Sequence, residues 1–288
     1  MARSTALALR CSSIDAGLFI AMPFFKVDQT RYHYVEAGVG EPLLLLHGFT
    51  GCTLNWQDVM GKLQSRCRVL AIDLPGHGKT AAPNESAHFA MPFVARQISV
   101  FIGDVIGEPT NLLGYSMGGR LALCIALDHS ACVQKLLLES ASPGLASAAE
   151  RQARIASDEA LAMRIARDGI EPFVDAWERL PLFASQAQAP QQARVRLRGL
   201  RLQNDPAGLV LSLRGMGTGA QPSLWDRLPA WTKLTLLITG ALDVKFVEIN
   251  RAMAQRMPHA LHHIVERAGH TVHFEQPDQY AALLKGIL

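Results

Sequence analysis

One stretch constrains the fold of this chain more than any other: Gly114-Tyr115-Ser116-Met117-Gly118-Gly119. It follows a short apolar run, Asn111 to Gly114, and opens directly into a helical pattern from Met117 to about Asp128. A serine between a strand and a helix, with glycines before and after it, implies a sharp, strained turn that missing Cβ atoms permit. Such a turn lifts the hydroxyl out of the sheet and places it at the positive end of the helix. On its own, Gly-x-Ser-x-Gly reads equally as a serine in a glycine-rich turn. The strand before it and the helix after it make Ser116 a nucleophile candidate.

The rest of the chain alternates in the same way. Arg31–Glu36, Pro42–Leu46, Arg68–Ile72, Lys135–Glu139, Leu234–Thr239 and His262–Val265 read as strands, and Phe93–Ile106 has helical spacing. Near-continuous apolar runs such as Pro42–Leu46 suit strands buried on both faces, so a mostly parallel sheet with helices on both sides is expected. From about Pro143 to Trp225 no convincing strand occurs and the pattern is helical. That length is too great for a loop and predicts an inserted helical lid. The expected layout is an α/β core over 22–142 and 226–288, a lid over 143–225, and an N-terminal extension over 1–21. The extension has Arg3 and Arg10 and no acid before Asp15. It reads as a weak targeting signal, a start upstream of Met22, or vector-derived residues.

A serine hydroxyl needs a base, and the base needs a group that holds its tautomer. Asp243 directly follows one strand, and His270, in Arg267-Ala268-Gly269-His270, follows the last. The order Ser116, Asp243, His270 is that of the α/β-hydrolase fold. His273 and Asp226 are the nearest rivals; the first falls beyond the turn and the second precedes its strand. Among the other histidines, His262 and His263 read as strand residues, and His33, His88, His129 and His259 as surface positions. His47-Gly48-Phe49-Thr50-Gly51 supplies an oxyanion loop, with the backbone amides of Phe49 and Met117 as donors. His47 and Asp73-Leu74-Pro75-Gly76-His77-Gly78 read as structural.

Composition removes other classes. With 49% apolar and 18% charged residues in 288, a large core is available and disorder is excluded. A scattered net charge of +3 argues against nucleic acid, and no apolar run is long enough to cross a bilayer. The five cysteines show no metal-ligand spacing and read as free thiols in a reducing, cytoplasmic compartment. No metal and no cofactor is expected.

The motifs also resemble a narrower family. Gly114 to Arg120, Glu139-Ser140-Ala141-Ser142-Pro143-Gly144-Leu145, Arg151-Gln152-x-Arg154, Ser157-Asp158, Leu213 to Gly219 and Asp243-x-Lys245-Phe246 resemble the 2-succinyl-6-hydroxy-2,4-cyclohexadiene-1-carboxylate synthases of menaquinone biosynthesis. The resemblance runs from about Leu43 to Pro277. It implies a cofactor-independent lyase that eliminates pyruvate from a cyclohexene polycarboxylate, with Ser116, activated by His270, as the base. It further implies that Arg120, Arg154 and Arg201 (or its neighbour Arg198) bind substrate carboxylates, with Tyr115 and Trp177 lining the pocket. Ala241 departs from the family pattern, where a more polar residue is expected.

Arg120 lies one helical turn after Ser116, where a fixed planar cation suits a carboxylate better than a neutral ester. It reads equally as a structural bridge when taken alone. Most lid arginines read as solvated. Two rivals stand beside the lyase: a carboxylesterase or carbon–carbon bond hydrolase of the same fold, and a non-catalytic small-molecule receptor. The sequence assigns no oligomeric state.

Overall fold

The computed structural model describes residues 23–288; the expected extension over 1–21 lies outside them. Eight strands form one sheet in the order β1-β2-β4-β3-β5-β6-β7-β8. They are β1 (Phe24–Val27), β2 (Thr30–Ala37), β3 (Glu41–Leu46), β4 (Cys67–Ile72), β5 (Thr110–Tyr115), β6 (Val133–Glu139), β7 (Thr235–Gly240) and β8 (Ala260–Val265). β1 and β2 pair antiparallel, β2 joins β4 antiparallel, and every pairing from β4 to β8 is parallel.

Strand periodicity divides the core into two layers. Leu44 and Leu46 of β3 face α2 (Met91–Phe101, with α1 at Gln57–Leu63 before it) and α3 (Met117–Asp128). Leu43 and Leu45 join the opposite layer, with α1 and the C-terminal Tyr280 and Leu284. All four leucines are fully buried. At roughly 1.5–3 kcal/mol for each buried large apolar side chain, this strand is a main anchor of the sheet.

Between β6 and β7 the chain builds α4 (Ala148–Asp168), α5 (Ile170–Glu178), a 3-10 segment Pro181–Gln188, α6 (Gln191–Leu202) and α7 (Pro206–Met216). Ser147 caps α4 reciprocally: its Oγ accepts from the Glu150 amide at 3.1 Å, and its own amide donates to Glu150 Oε2 at 3.0 Å. Asp205 caps α7, with Pro206 at the first position. These helices carry a separate apolar core that includes Ile165, Phe173, Val174, Leu209 and Leu213. After β7 come α8 (Val244–Ala254), α9 (Val272–Glu275) and α10 (Pro277–Lys285). Among the described residues no helix is long and apolar enough to cross a membrane. Four free cysteines, Cys52, Cys67, Cys124 and Cys132, lie among them.

One expectation is corrected. His33 is not a surface residue: it is 3% exposed. The short strand β1, which the sequence reading missed, pairs with β2 and sets Phe24 against the His33 ring at 5.3 Å. The helical spacing over Phe93–Ile106 is borne out, the backbone staying helical throughout while its last turn widens. α2 ends at Phe101, and Ile102–Ile106 forms a π-turn closed by Gly107 at φ +84°.

Candidate active site

The turn at Ser116 is strained as its glycines imply. Ser116 has φ +49° and ψ −108°, a region that non-glycine residues occupy only where their surroundings over-determine them. Its amide is tied to the Glu139 carbonyl at the end of β6, at 2.8 Å. A Cβ on Gly118 would meet the Leu46 carbonyl oxygen at 2.3 Å, and one on Gly114 would meet that of Gly118 at 2.3 Å. Both glycines are therefore required for α3 to press its first turn against β3 and β5.

Ser116, Asp243 and His270 come together at the C-terminal ends of the parallel strands. His270 Nε2 lies 3.0 Å from Ser116 Oγ, and His270 Nδ1 lies 2.6 Å from Asp243 Oδ2. His270 is 2% exposed, and Phe246 packs against its ring at 4.6 Å. The Glu275 carboxylate holds the histidine loop by accepting from the amides of Gly269 (2.7 Å) and Thr271 (3.1 Å), one on each side of His270. The rival His273 is engaged elsewhere: its Nδ1 lies 2.8 Å from Oε2 of Glu139, which is fully buried. Asp226 sits in the 3-10 segment Trp225–Ala230, before β7.

The loop after β3 is braced by two neutral histidines. His47 Nδ1 donates to the Gly48 carbonyl at 2.8 Å while Nε2 accepts from the Leu74 amide at 2.9 Å. His77 Nε2 accepts from the Thr50 amide at 3.2 Å, and its Nδ1 donates to the Pro75 carbonyl at 3.2 Å. Burial holds His47 below the usual imidazole range; it lowers His77, which also faces His47, to about 3. Asp73 anchors the neighbouring turn, accepting from the amides of Thr53 (2.6 Å) and Lys79 (2.8 Å) and pairing with His33 Nδ1 at 2.7 Å. The turn containing Phe49 is closed by the Gly51 amide on the Gly48 carbonyl at 3.0 Å. Met117 opens α3, where first-turn amides have no intrahelical acceptor.

Over this floor lies a narrow cleft whose lining includes Phe49, Tyr115, Trp177, Phe183, Arg201 and Thr271. Trp177 Nε1 is buried with no partner among the described residues. Arg201 is 6% exposed; its Nη1 donates to Glu178 Oε1 at 3.0 Å. Arg198, its neighbour, has a side chain 38% exposed and pairs with Asp175 and Glu178. The two arginines and two carboxylates balance one another.

Arg120 and Arg154 form a second group that does not line the cleft. Arg120 is 8% exposed, and its Nη1 and Nη2 donate to Gln221 Oε1 (3.0 Å) and the Met216 carbonyl (2.8 Å), both neutral. Burial, with Arg154 nearby, lowers this guanidinium to about 10. Arg154 pairs with Asp158 at 2.7 Å and is otherwise exposed. Two cations and one carboxylate leave this group positive. Gln221, Thr271 and Glu275 were not legible as site residues, since each acquires its partner only through folding. Among the described residues no three His, Cys, Asp or Glu side chains converge as metal ligands.

A strained serine at a strand–helix turn, facing a histidine and an acid on a doubly covered parallel sheet, defines a protein of the α/β-hydrolase fold, and an alpha/beta hydrolase family model matches residues 43–283. The relatives are narrower. The chain is 40% identical to a Bacillus subtilis (strain 168) protein provisionally named 2-succinyl-6-hydroxy-2,4-cyclohexadiene-1-carboxylate synthase, over 91% of this chain and 96% of that protein. It is 35% identical to the synthase of that name from Enterobacter sp. (strain 638), over 85% and 91%. The solved structure of MenH from S. aureus superposes with a TM-score of 0.85 at 34% identity, covering 89% of this chain and 97% of that one. The chain belongs to the 2-succinyl-6-hydroxy-2,4-cyclohexadiene-1-carboxylate synthase family.

Proposed function

We propose that this protein eliminates pyruvate from 2-succinyl-5-enolpyruvyl-6-hydroxy-3-cyclohexene-1-carboxylate to give 2-succinyl-6-hydroxy-2,4-cyclohexadiene-1-carboxylate, with Ser116 as the proton acceptor. Family membership supports the reaction. The observation that carries the site assignment is the relay itself, His270 Nε2 3.0 Å from Ser116 Oγ and Nδ1 2.6 Å from Asp243 Oδ2, with Arg120 buried four residues along the same helix and hydrogen-bonded only to neutral acceptors. An unbalanced buried positive charge is expensive to keep unless an anion uses it.

The chemistry follows from the two structures. The C2 proton lies next to the succinyl ketone and is the acidic one. Its removal shifts the ring double bond from C3 to C2, opens a second at C4 and breaks the C5–O bond. The enolpyruvyl group leaves as the enolate of pyruvate and is protonated at carbon, so the atoms and electron pairs balance with no redox partner. His270 draws the Ser116 proton so that the oxygen can accept the one from C2, while Asp243 fixes the imidazole tautomer. Charge developing on the ketone oxygen meets the amides of Phe49 and Met117. Arg201 receives a substrate carboxylate in the cleft, where Tyr115 and Trp177 flank the ring, and Arg120 and Arg154, outside that lining, add the positive charge that draws the other carboxylates. Arg201 is preferred to Arg198 because it is buried at the cleft and Arg198 is half in solvent.

A coupled pyruvate assay run beside diene absorbance, with intact-protein mass spectrometry during turnover, tests the reading. One pyruvate per diene and no covalent enzyme is the expected result. An acyl group on Ser116, or diene without pyruvate, overturns it in favour of a hydrolase.

A further inference from the structure

The helical insertion is hydrogen-bonded to the histidine loop through Gln186, a residue of the 3-10 segment that is 7% exposed. Its Nε2 donates to Thr271 Oγ1 at 2.9 Å, and its Oε1 accepts from Arg201 Nη2 at 3.2 Å. Thr271 follows His270 in the chain, and its hydroxyl also lies 2.8 Å from the Tyr115 hydroxyl. Tyr115 precedes Ser116. A buried polar chain thus runs from Arg201 through Gln186 and Thr271 to Tyr115, and its inner end brackets both His270 and Ser116.

The amide suits this place chemically. It offers an acceptor to a cation at one end and a donor to a hydroxyl at the other. A carboxylate would keep an acceptor for Arg201, and the Thr271 hydroxyl could turn to donate to it. It would also add charge where Asp175 and Glu178 already balance Arg198 and Arg201. A leucine would fill the space and satisfy neither neighbour.

We propose that Gln186 is a positioning residue, which sets Arg201 in register with the histidine loop so that a carboxylate on Arg201 meets the Ser116–His270 pair at a fixed distance. The proposal rests on Arg201 being a carboxylate site, as argued above.

Two variants separate the parts. Gln186→Leu removes both bonds and is expected to lower kcat about tenfold or more, the range for stranding a buried hydrogen-bonding group. Gln186→Glu preserves the bridge but repels an anion; KM is expected to rise about tenfold or more with kcat within about twofold. The proton on His270 Nδ1, followed by NMR in the ligand-free protein, should broaden or shift in Gln186→Leu and stay in place in Gln186→Glu. That signal needs no substrate. If the unsubstituted protein releases no pyruvate, the reaction assignment fails while the positioning role is still read. A folded Gln186→Leu with unchanged kcat and an unchanged His270 signal overturns the proposal. If Gln186→Leu does not fold, an unaltered KM in Gln186→Glu overturns it.

Discussion

The strand-end site and the helical insertion above it handle polar groups in opposite ways. At the strand ends the groups are buried and met locally: the rings of His47, His77 and His270 each have a partner on both nitrogens, and Asp73 gathers two amides and a histidine. In the insertion many charges sit at the surface in ion pairs, such as Arg214 with Glu159, whose side chains are 44% and 40% exposed. Arg120 stands on the border, buried like the first group and charged like the second. The difference separates two tasks. Under the proposed function a stiff sheet fixes the reacting groups, and a region with its own apolar core supplies charge for recognition.

The sharpest way to break this division is at the relay. Ser116→Ala and His270→Ala should each lower kcat by roughly 10² to 10⁴ while the far-UV circular dichroism stays unchanged. Near-normal turnover in either would remove the site assignment.

Next comes the border. Arg120→Met is expected to lose about 2–5 kcal/mol of transition-state stabilisation, read as kcat/KM. Its unfolding free energy should move by no more than about 2 kcal/mol, because lost bonds to Gln221 and Met216 are offset by no longer burying a cation. The reverse pattern, lost stability with retained activity, would make Arg120 a structural bridge. Arg154→Ala should share the loss of efficiency with little change in stability.

The braced loop makes a prediction about pH. His77 is held near 3 when folded, below its ordinary 6.5. Between these values the unfolded chain binds a proton that the folded one refuses, so stability is full above about 6.5 and falls as pH drops toward 3. Lowering pH from 7 to 5 should remove about 2 kcal/mol through this group. Denaturant melts at the two pH values measure it, and His77→Gln should flatten the difference. An equal slope in that variant would place the sensitivity elsewhere. The smallest effect belongs to the solvated region: Arg214→Ala should cost less than about 1 kcal/mol and leave kcat/KM unchanged. A clear loss of activity would extend the recognition surface to α7.

What was legible in the chain was what local backbone geometry dictates. The order Ser116, Asp243, His270 follows from strand ends, and His47 and His77 were recognised as braces because they adjoin those ends. His33 was misread because its burial depends on β1, four residues long and outside the alternating pattern. Arg201 could not be told from Arg198 by spacing, since the two lie three positions apart on α6 and differ only in what covers them. Gln186, Gln221 and Glu275 carried no signal. Glutamine and glutamate occur throughout such sequences, and nothing in the sequence marks the ones that fold into the site.

By itself the sequence determined the layered sheet, the strained serine turn and the members of the relay. Strand periodicity, the missing Cβ atoms at Gly114 and Gly118, and the helix opening at Met117 all act over a few residues. The tertiary structure alone decided which charges are compensated. Arg120 meets Gln221 across 101 positions, Gln186 meets Thr271 across 85, and His273 meets Glu139 across 134. Whether a buried polar group is satisfied depends on atoms brought to it by the packing of distant segments, and local propensity holds no record of them.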